Sequence, residues 1–277
     1  MLYLIGLGLG DAKDITVKGL EIVRRAKHVF LEAYTSILSV PKETLEEFYG
    51  RKVVIADRDF VEQSSDDILA DAVDNDVAFL VVGDPLGATT HTDLILRAHQ
   101  TGVQHRLIHN ASIINACGAC GLQLYNFGEI VSIPFWTDSW KPNSFFDKIC
   151  ANLKSGLHTL CLLDIKVKEQ SIDAMIKGKV VYEPPRYMSV NIASKQLLEI
   201  IESKATDSYP NELFNEKTVV IALARIGCDD QTIKTCQLKD MLAIEMGAPL
   251  HSVIIPGKLH PIEIEMMSIF ADNSQTK

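Results

Sequence analysis

No run in this 277-residue chain approaches the roughly 20 consecutive apolar residues that span a bilayer, so a transmembrane helix is excluded. The opening Met1–Gly10 stretch has no positively charged lead and meets Asp11 at once, which argues against a secretory signal. A basic surplus is missing too. Lys and Arg total 27 against 36 acidic residues, a formal charge of −9, and this disfavours a phosphate-backbone binder and direct nucleic-acid binding. A basic macromolecule or a cationic small molecule is the better partner. Six cysteines in a chain this long are too few for a disulfide framework, which points to a reducing compartment and a soluble cytoplasmic protein. Cys117-x-x-Cys120 has no second Cys or His pair at matching spacing and sits among small residues, Asn115 to Gly121, so no metal site is expected. HExxH, a nucleophile elbow and a Ser-His-Asp order are all absent, and covalent or metal-assisted hydrolysis recedes with them.

What is present is a hydrophobic share of 47%, enough for a large core, and a chain length that suits two domains. Phe79-Leu-Val-Val82 reads as a buried parallel strand that stops in Gly83-Asp84-Pro85, followed by Gly87. In open α/β sheets the carboxyl ends of strands are where ligands sit. The first half alternates strands (1–5, 28–31, 52–55, 77–82, 104–108) with helices (16–26 capped by Asp14, 41–49, 66–73 capped by Ser64 or Ser65, and one from Thr90 or Thr92 to Thr101). That is a doubly wound, mostly parallel sheet. In the second half strands are expected at 128–133, 157–163, 218–224 and 252–255, with helices at 144–154, 190–203 and 261–270. Without strict alternation this predicts a mixed sheet. The domains are therefore placed at 1–110 and 111–271, with an exposed loop at 205–216 and a polar tail at 272–277.

Gly6, Gly8 and Gly10 bring backbone to the same sheet edge as Gly83 and Gly87. Their spacing is Gly-x-Gly-x-Gly, not the dinucleotide Gly-x-Gly-x-x-Gly, and the following helix starts too late to receive a pyrophosphate. A nicotinamide oxidoreductase using this turn, with Glu32 on a ribose, is one alternative; a tight turn without a ligand is another. Most weight falls on a cofactor without phosphates. Asp84 between two glycines suits contact with a bound molecule, although Asp and Pro are also ordinary turn residues. His91, His109, His251 and His260 are candidate bases, each equally readable as a structural hydrogen-bonding residue. The loops 135–140 and 182–188, with Trp136, Trp140 and Arg186, either pack over a core edge or receive a macromolecule.

Seven ordered motifs carry a resemblance to a known family: Gly6-Leu-Gly-Leu-Gly-Asp11, Val82-Gly-Asp-Pro-Leu-Gly-Ala-Thr-Thr-His91, His109-Asn-Ala-Ser-Ile113, Cys161-Leu-Leu-Asp164, Glu183-Pro-Pro-Arg-Tyr-Met188, Leu223-Ala-Arg-Ile-Gly227 and Pro249-Leu-His251. Together they resemble the diphthine synthases, in the tetrapyrrole methylase group of S-adenosylmethionine (SAM) methyltransferases. Leu9, where corrin and porphyrin methylases tend to have proline, fits the diphthine branch. The resemblance implies two α/β domains with the cofactor in the cleft between them, and a homodimer. It implies SAM contacts, yielding S-adenosylhomocysteine, at Leu9, Asp84, Gly87, Ser112, Ile113, Leu163, Ile226 and His251. The implied substrate is a histidine of translation elongation factor 2 carrying an aminocarboxypropyl group. Its amine is trimethylated and, in the eukaryotic form, its carboxylate esterified, four transfers in all. No catalytic base is assigned. A noncatalytic SAM-binding protein stays as a further alternative.

Overall fold

The structure is a computed structural model that describes residues 1–34, 36–38, 40–57, 60–61, 65–169, 178, 181–204 and 213–271. The chain forms two compact units. Met1–Ala116, Val167–Pro185 and Gly227–Asp229 make the first, and Cys117–Lys166, Arg186–Ile226 and Asp230–Lys277 the second.

In the first unit five strands, β1 (Leu2–Gly6), β2 (His28–Glu32), β3 (Val54–Ala56), β4 (Val77–Val81) and β5 (His105–Ile108), form one sheet in the order β3-β2-β4-β1-β5. Every pairing is parallel. Alternation along the strands divides the core. Tyr3, Ile5, Ala78 and Leu80 pack with Ile22, Val23 and Leu45 of helices Val17–Arg25 and Lys42–Tyr49. Leu2, Leu4, Val77 and Phe79 pack on the other face with Ile68, Leu69, Leu94 and Ala98 of helices Ser65–Asp74 and Thr92–Gln100. Both faces are thus covered, which is why β1 and β4 read as unbroken apolar runs.

The connection after β1 goes to one face and that after β4 to the other, while the two strands are neighbours. Their carboxyl ends consequently flank a topological switch point, the place where an open α/β sheet leaves a crevice.

In the second unit β6 (Val131–Ile133), β7 (Thr159–Leu163), β10 (Val219–Ala224), β11 (Thr232–Gln237) and β12 (His251–Ile255) take the order β11-β10-β12-β7-β6. All neighbours are antiparallel except β6–β7, the expected mixed sheet. Helices Ser144–Lys154 and Val190–Lys204 cover it through Phe146, Ile149, Ala193 and Leu197. A two-stranded ribbon, β8 (Ile165–Lys166) with β9 (Arg186–Tyr187), stands beside this sheet.

Several boundaries move for physical reasons. Helix Val17–Arg25 is capped by Thr16, whose Oγ1 accepts from Gly19 N–H at 3.0 Å; Asp14 instead accepts the Gly10 N–H at 2.7 Å. The strand expected from Gly128 begins only at Val131, because the Asn152 side chain takes both the N–H and the C=O of Glu129 (3.1 and 2.9 Å). The polar strand β11, Thr-Ile-Lys-Thr-Cys-Gln, lacks a clean apolar alternation and is held by pairing with β10. Of the loop expected at 205–216, residues 205–212 lie outside the described residues, as does the tail 272–277 and the Ser64 cap. Phe214 corrects the rest: it is fully buried in the second core against Phe146.

Candidate functional site

The turns after β1 and β4 bond to each other. Gly8 N–H donates to Gly83 O at 3.2 Å and Gly83 N–H to Gly8 O at 2.8 Å, with φ at +76° and +79°. Both residues occupy the left-handed region that glycine enters without a Cβ penalty. A Cβ on Gly83 would be 3.7 Å from Leu9 Cδ2 and from Ser112 Cα; one on Gly87 would be 2.7 Å from Ser112 Oγ. Leu9, Gly87, Ser112 and Asp84 are therefore gathered at the switch point. Ile113 opens the short helix that follows Ser112, whose own N–H is held by Asn115 Oδ1 at 2.8 Å.

Asp84 fastens this corner. Its Oδ1 accepts from Leu86 N–H at 2.9 Å, and its Oδ2 from Asn110 N–H at 3.1 Å and from His109 Nδ1 at 2.8 Å. Burial pushes the carboxyl up, but the two amides and the imidazole outweigh it and hold the group below the ordinary carboxylate range. With both oxygens engaged by the protein, the charge holds the turn.

Asn110 was not singled out by sequence reasoning, and nothing in its own residue type would have done so. Its Nδ2 donates to Gly6 O at 3.0 Å and Asp14 O at 2.9 Å, and its Oδ1 accepts from Ala111 N–H at 2.8 Å, tying three segments together. Gly227 was quoted only as part of a motif. It returns to the first unit beside Leu9 and Gly10, so close that a Cβ on Gly10 would stand 2.5 Å from Gly227 O.

The candidates of the second unit gather as well. Ala224 of β10 pairs with His251 of β12, and Ser252 of β12 with Leu162 of β7, so Leu163 and His251 lie at the same end of this sheet and Ile226 follows two residues after Ala224. His251 Nδ1 accepts from Val190 N–H at 3.4 Å, and its Nε2 lies 3.0 Å from Ala248 O. These partners assign the neutral ring with the proton on Nε2. Burial lowers its pKa, which agrees with that state. The Arg225 guanidinium shapes the same loop, donating to Met246 O at 2.7 Å and Ala248 O at 2.6 Å.

The other candidates are accounted for locally. His91 is 1% exposed, edge-on to Phe79 and Tyr34, and burial carries its pKa down to about 4. His260 caps helix Pro261–Ile269. Cys117 and Cys120 are buried in a 3-10 turn, burial pushing the Cys117 thiol up to about 12, the opposite of a reactive or metal-binding thiolate. Among the described residues no group of three His, Cys, Asp or Glu could hold a metal ion, and no helix is long and apolar enough to cross a membrane. Trp136 packs on the second core with Nε1 donating to Pro142 O at 2.9 Å, whereas Trp140 is 55% exposed. Trp136 thus takes the packing role expected for that loop.

Glu32 does not suit a ribose. It is buried, its Oε1 accepts from Tyr34 N–H at 2.8 Å, and β4 stands between β2 and β1. In the dinucleotide fold the acid-bearing strand is the direct neighbour of the glycine-turn strand. The nicotinamide alternative is corrected on this order of strands. Backbone amides and carbonyls with Leu9, Ser112 and Ile113 fit a partly apolar cofactor without phosphates better than a pyrophosphate.

Residues 1–242 match the tetrapyrrole (corrin/porphyrin) methylases. The chain is 63% identical to the diphthine methyl ester synthase of Homo sapiens over 98% of its own length and 95% of that protein. It is 57% identical to that of Yarrowia lipolytica, over 99% and 91%. A solved diphthine synthase at 34% identity superposes with a TM-score of 0.82, covering 98% of this chain and 96% of that one.

Proposed function

The chain belongs to the tetrapyrrole methylases, in their diphthine methyl ester synthase branch, and is a methyltransferase of diphthamide biosynthesis; we propose SAM as its methyl donor and translation elongation factor 2 as its acceptor. The observation that supports the donor is the pair of mutually bonded glycine turns at the β1/β4 switch point. We assign cofactor contacts to Leu9, Asp84, Gly87, Ser112 and Ile113 in the first unit and to Leu163, Ile226 and His251 in the second. When bound, the sulfonium of SAM supplies an already activated methyl group.

The chain's own residues then hold and shape. Gly8 and Gly83 let the backbone come close; Asp84 and Asn110 fix that backbone by side-chain hydrogen bonds. Fixed carbonyls near Leu9 and Asp84 are suited to a cationic centre whose charge fades during transfer. His251 keeps both ring nitrogens occupied and moves no proton. The acceptor amine of the aminocarboxypropyl-histidine gives up its protons to solvent between transfers. The series continues through the carboxylate to the methyl ester, the product that names the relatives. Exposed Trp140 contributes to docking the elongation factor.

The test is transfer of labelled methyl from SAM into elongation factor 2 taken from cells lacking this activity. Incorporation, with mass increments ending at the ester, is expected. SAM binding by calorimetry without any incorporation would leave the noncatalytic reading in its place. We further propose a cytoplasmic homodimer, for which sedimentation should give twice the 30.7 kDa chain mass.

A further inference from the structure

His109 Nδ1 lies 2.8 Å from Asp84 Oδ2, the oxygen that also accepts the Asn110 N–H at 3.1 Å. An ionised carboxylate only accepts, so the proton of the pair sits on Nδ1. In the neutral ring this leaves the lone pair on Nε2. The side chain is 67% exposed, and among the described residues Nε2 has no protein partner. A carboxylate on one ring nitrogen and an open lone pair on the other is the arrangement of an oriented general base.

The other histidines read as candidate bases lack it. His91 is buried, His251 has both ring nitrogens occupied, and His260 Nδ1 accepts from Ile262 N–H at 3.4 Å as a helix cap. His109 also stands at the corner where the first unit gathers its cofactor contacts. Its neighbour Asn110 ties Gly6 to Asp14, and Ser112 lies against the Gly83 and Gly87 turns.

Amine methylation calls for such a group. The acceptor nitrogen attacks only through a free lone pair, so the starting ammonium must lose a proton, and the products of the first and second transfers must each lose one in turn. The third transfer leaves a quaternary nitrogen with no proton to give. The carboxylate esterified last has none either.

We propose that His109 is the general base of the amine transfers, with Asp84 holding its ring in the accepting tautomer, an assignment that rests on the methyltransferase reading above. In each amine round the proton moves to Nε2 and its bonding pair stays on the acceptor nitrogen. That pair then forms the bond to the methyl carbon, and the bond from methyl to sulfur breaks with its electrons remaining on sulfur. The exposed imidazolium releases the proton to water and is ready for the next round. Esterification bypasses His109.

The experiment separates the two kinds of transfer in wild type, His109→Asn and His109→Gln. One assay follows methyl transfer to the unmethylated amine of elongation factor 2; the other follows esterification of the trimethylated acid, obtained from the finished product by mild alkaline hydrolysis. Both variants keep an N–H donor for Asp84 but have no base, and their SAM Kd should stay within twofold of wild type. Amine transfer should slow at least tenfold, with mono- and dimethylated species accumulating, whereas esterification should slow less than threefold. The amine deficit should shrink as pH is raised, because the free amine then forms without help. Equal slowing of both reactions, an unchanged amine rate, a deficit indifferent to pH, or a parallel loss of SAM affinity would each overturn the assignment. If wild type carries out neither reaction, the functional reading fails instead, and the two failures are told apart.

Discussion

Asp84 Oδ2 lies 2.8 Å from His109 Nδ1 and 3.1 Å from Asn110 N–H, yet these two partners are not equals. His109 is 67% exposed, so solvent screens its contribution, whereas the amides are held in place by the fold. Asp84→Asn should therefore lower stability by about 1.5–3 kcal/mol, the range for hydrogen bonds to a charged group, while His109→Ala should cost less than about 1 kcal/mol. Urea unfolding measures both. Because the folded carboxyl lies below its ordinary value near 3.9, its contribution is complete above that value and disappears as pH falls through and below it. The gap between wild type and Asp84→Asn should accordingly narrow below about pH 4.

The close approach of backbone separates two glycines. A Cβ on Gly10 would press on the Gly227 carbonyl at 2.5 Å, a backbone atom that cannot rotate away; a Cβ on Gly87 would meet the Ser112 side chain at 2.7 Å. Gly10→Ala is expected to destabilise by about 1–3 kcal/mol, as overpacking does, and to abolish SAM binding. Gly87→Ala should weaken SAM binding about tenfold, about 1.4 kcal/mol, with a smaller loss of thermal stability. Calorimetry and thermal melts on both variants read the difference.

His251 shapes the loop that begins β12. His251→Ala should raise the SAM Kd, because Val190 N–H and Ala248 O lose their partner. Unaltered affinity with lost turnover would mean that the ring moves protons after all.

His91 makes stability pH-dependent well above the carboxylate range. Its folded pKa is about 4, below the ordinary 6.5, so protons favour the unfolded chain between those values. Its stabilising contribution is full above about pH 6.5 and falls by up to about 3 kcal/mol as pH approaches 4. His91→Gln should flatten this part of the stability profile, measured by urea midpoints at steps of pH.

Glu263 is buried against His158 at 3.2 Å and takes N–H groups from Gln123 (2.8 Å) and His260 (2.7 Å). Burial raises its carboxyl, and these three donors together bring it below the ordinary range. Glu263→Gln places an amide where only acceptors fit and should cost about 3–5 kcal/mol in urea unfolding, with the SAM Kd of the folded enzyme unchanged.

The sequence by itself determined the parallel, doubly wound first unit and the mixed second sheet. Apolar runs ending in glycine can bury two faces and turn sharply, and that pattern is local. The two glycine turns and the ordered family motifs were equally legible, since each is a short contiguous stretch. The tertiary structure decided what joins distant segments: β4 inserted between β1 and β2, Asn110 bridging Gly6 and Asp14, and Gly227 lying on Gly10. It also exposed the facing of Lys166 and Arg186, a pairing register between two-residue strands too short to leave any periodicity. Strand order and side-chain bridges arise from packing between elements, and no window of consecutive residues encodes them.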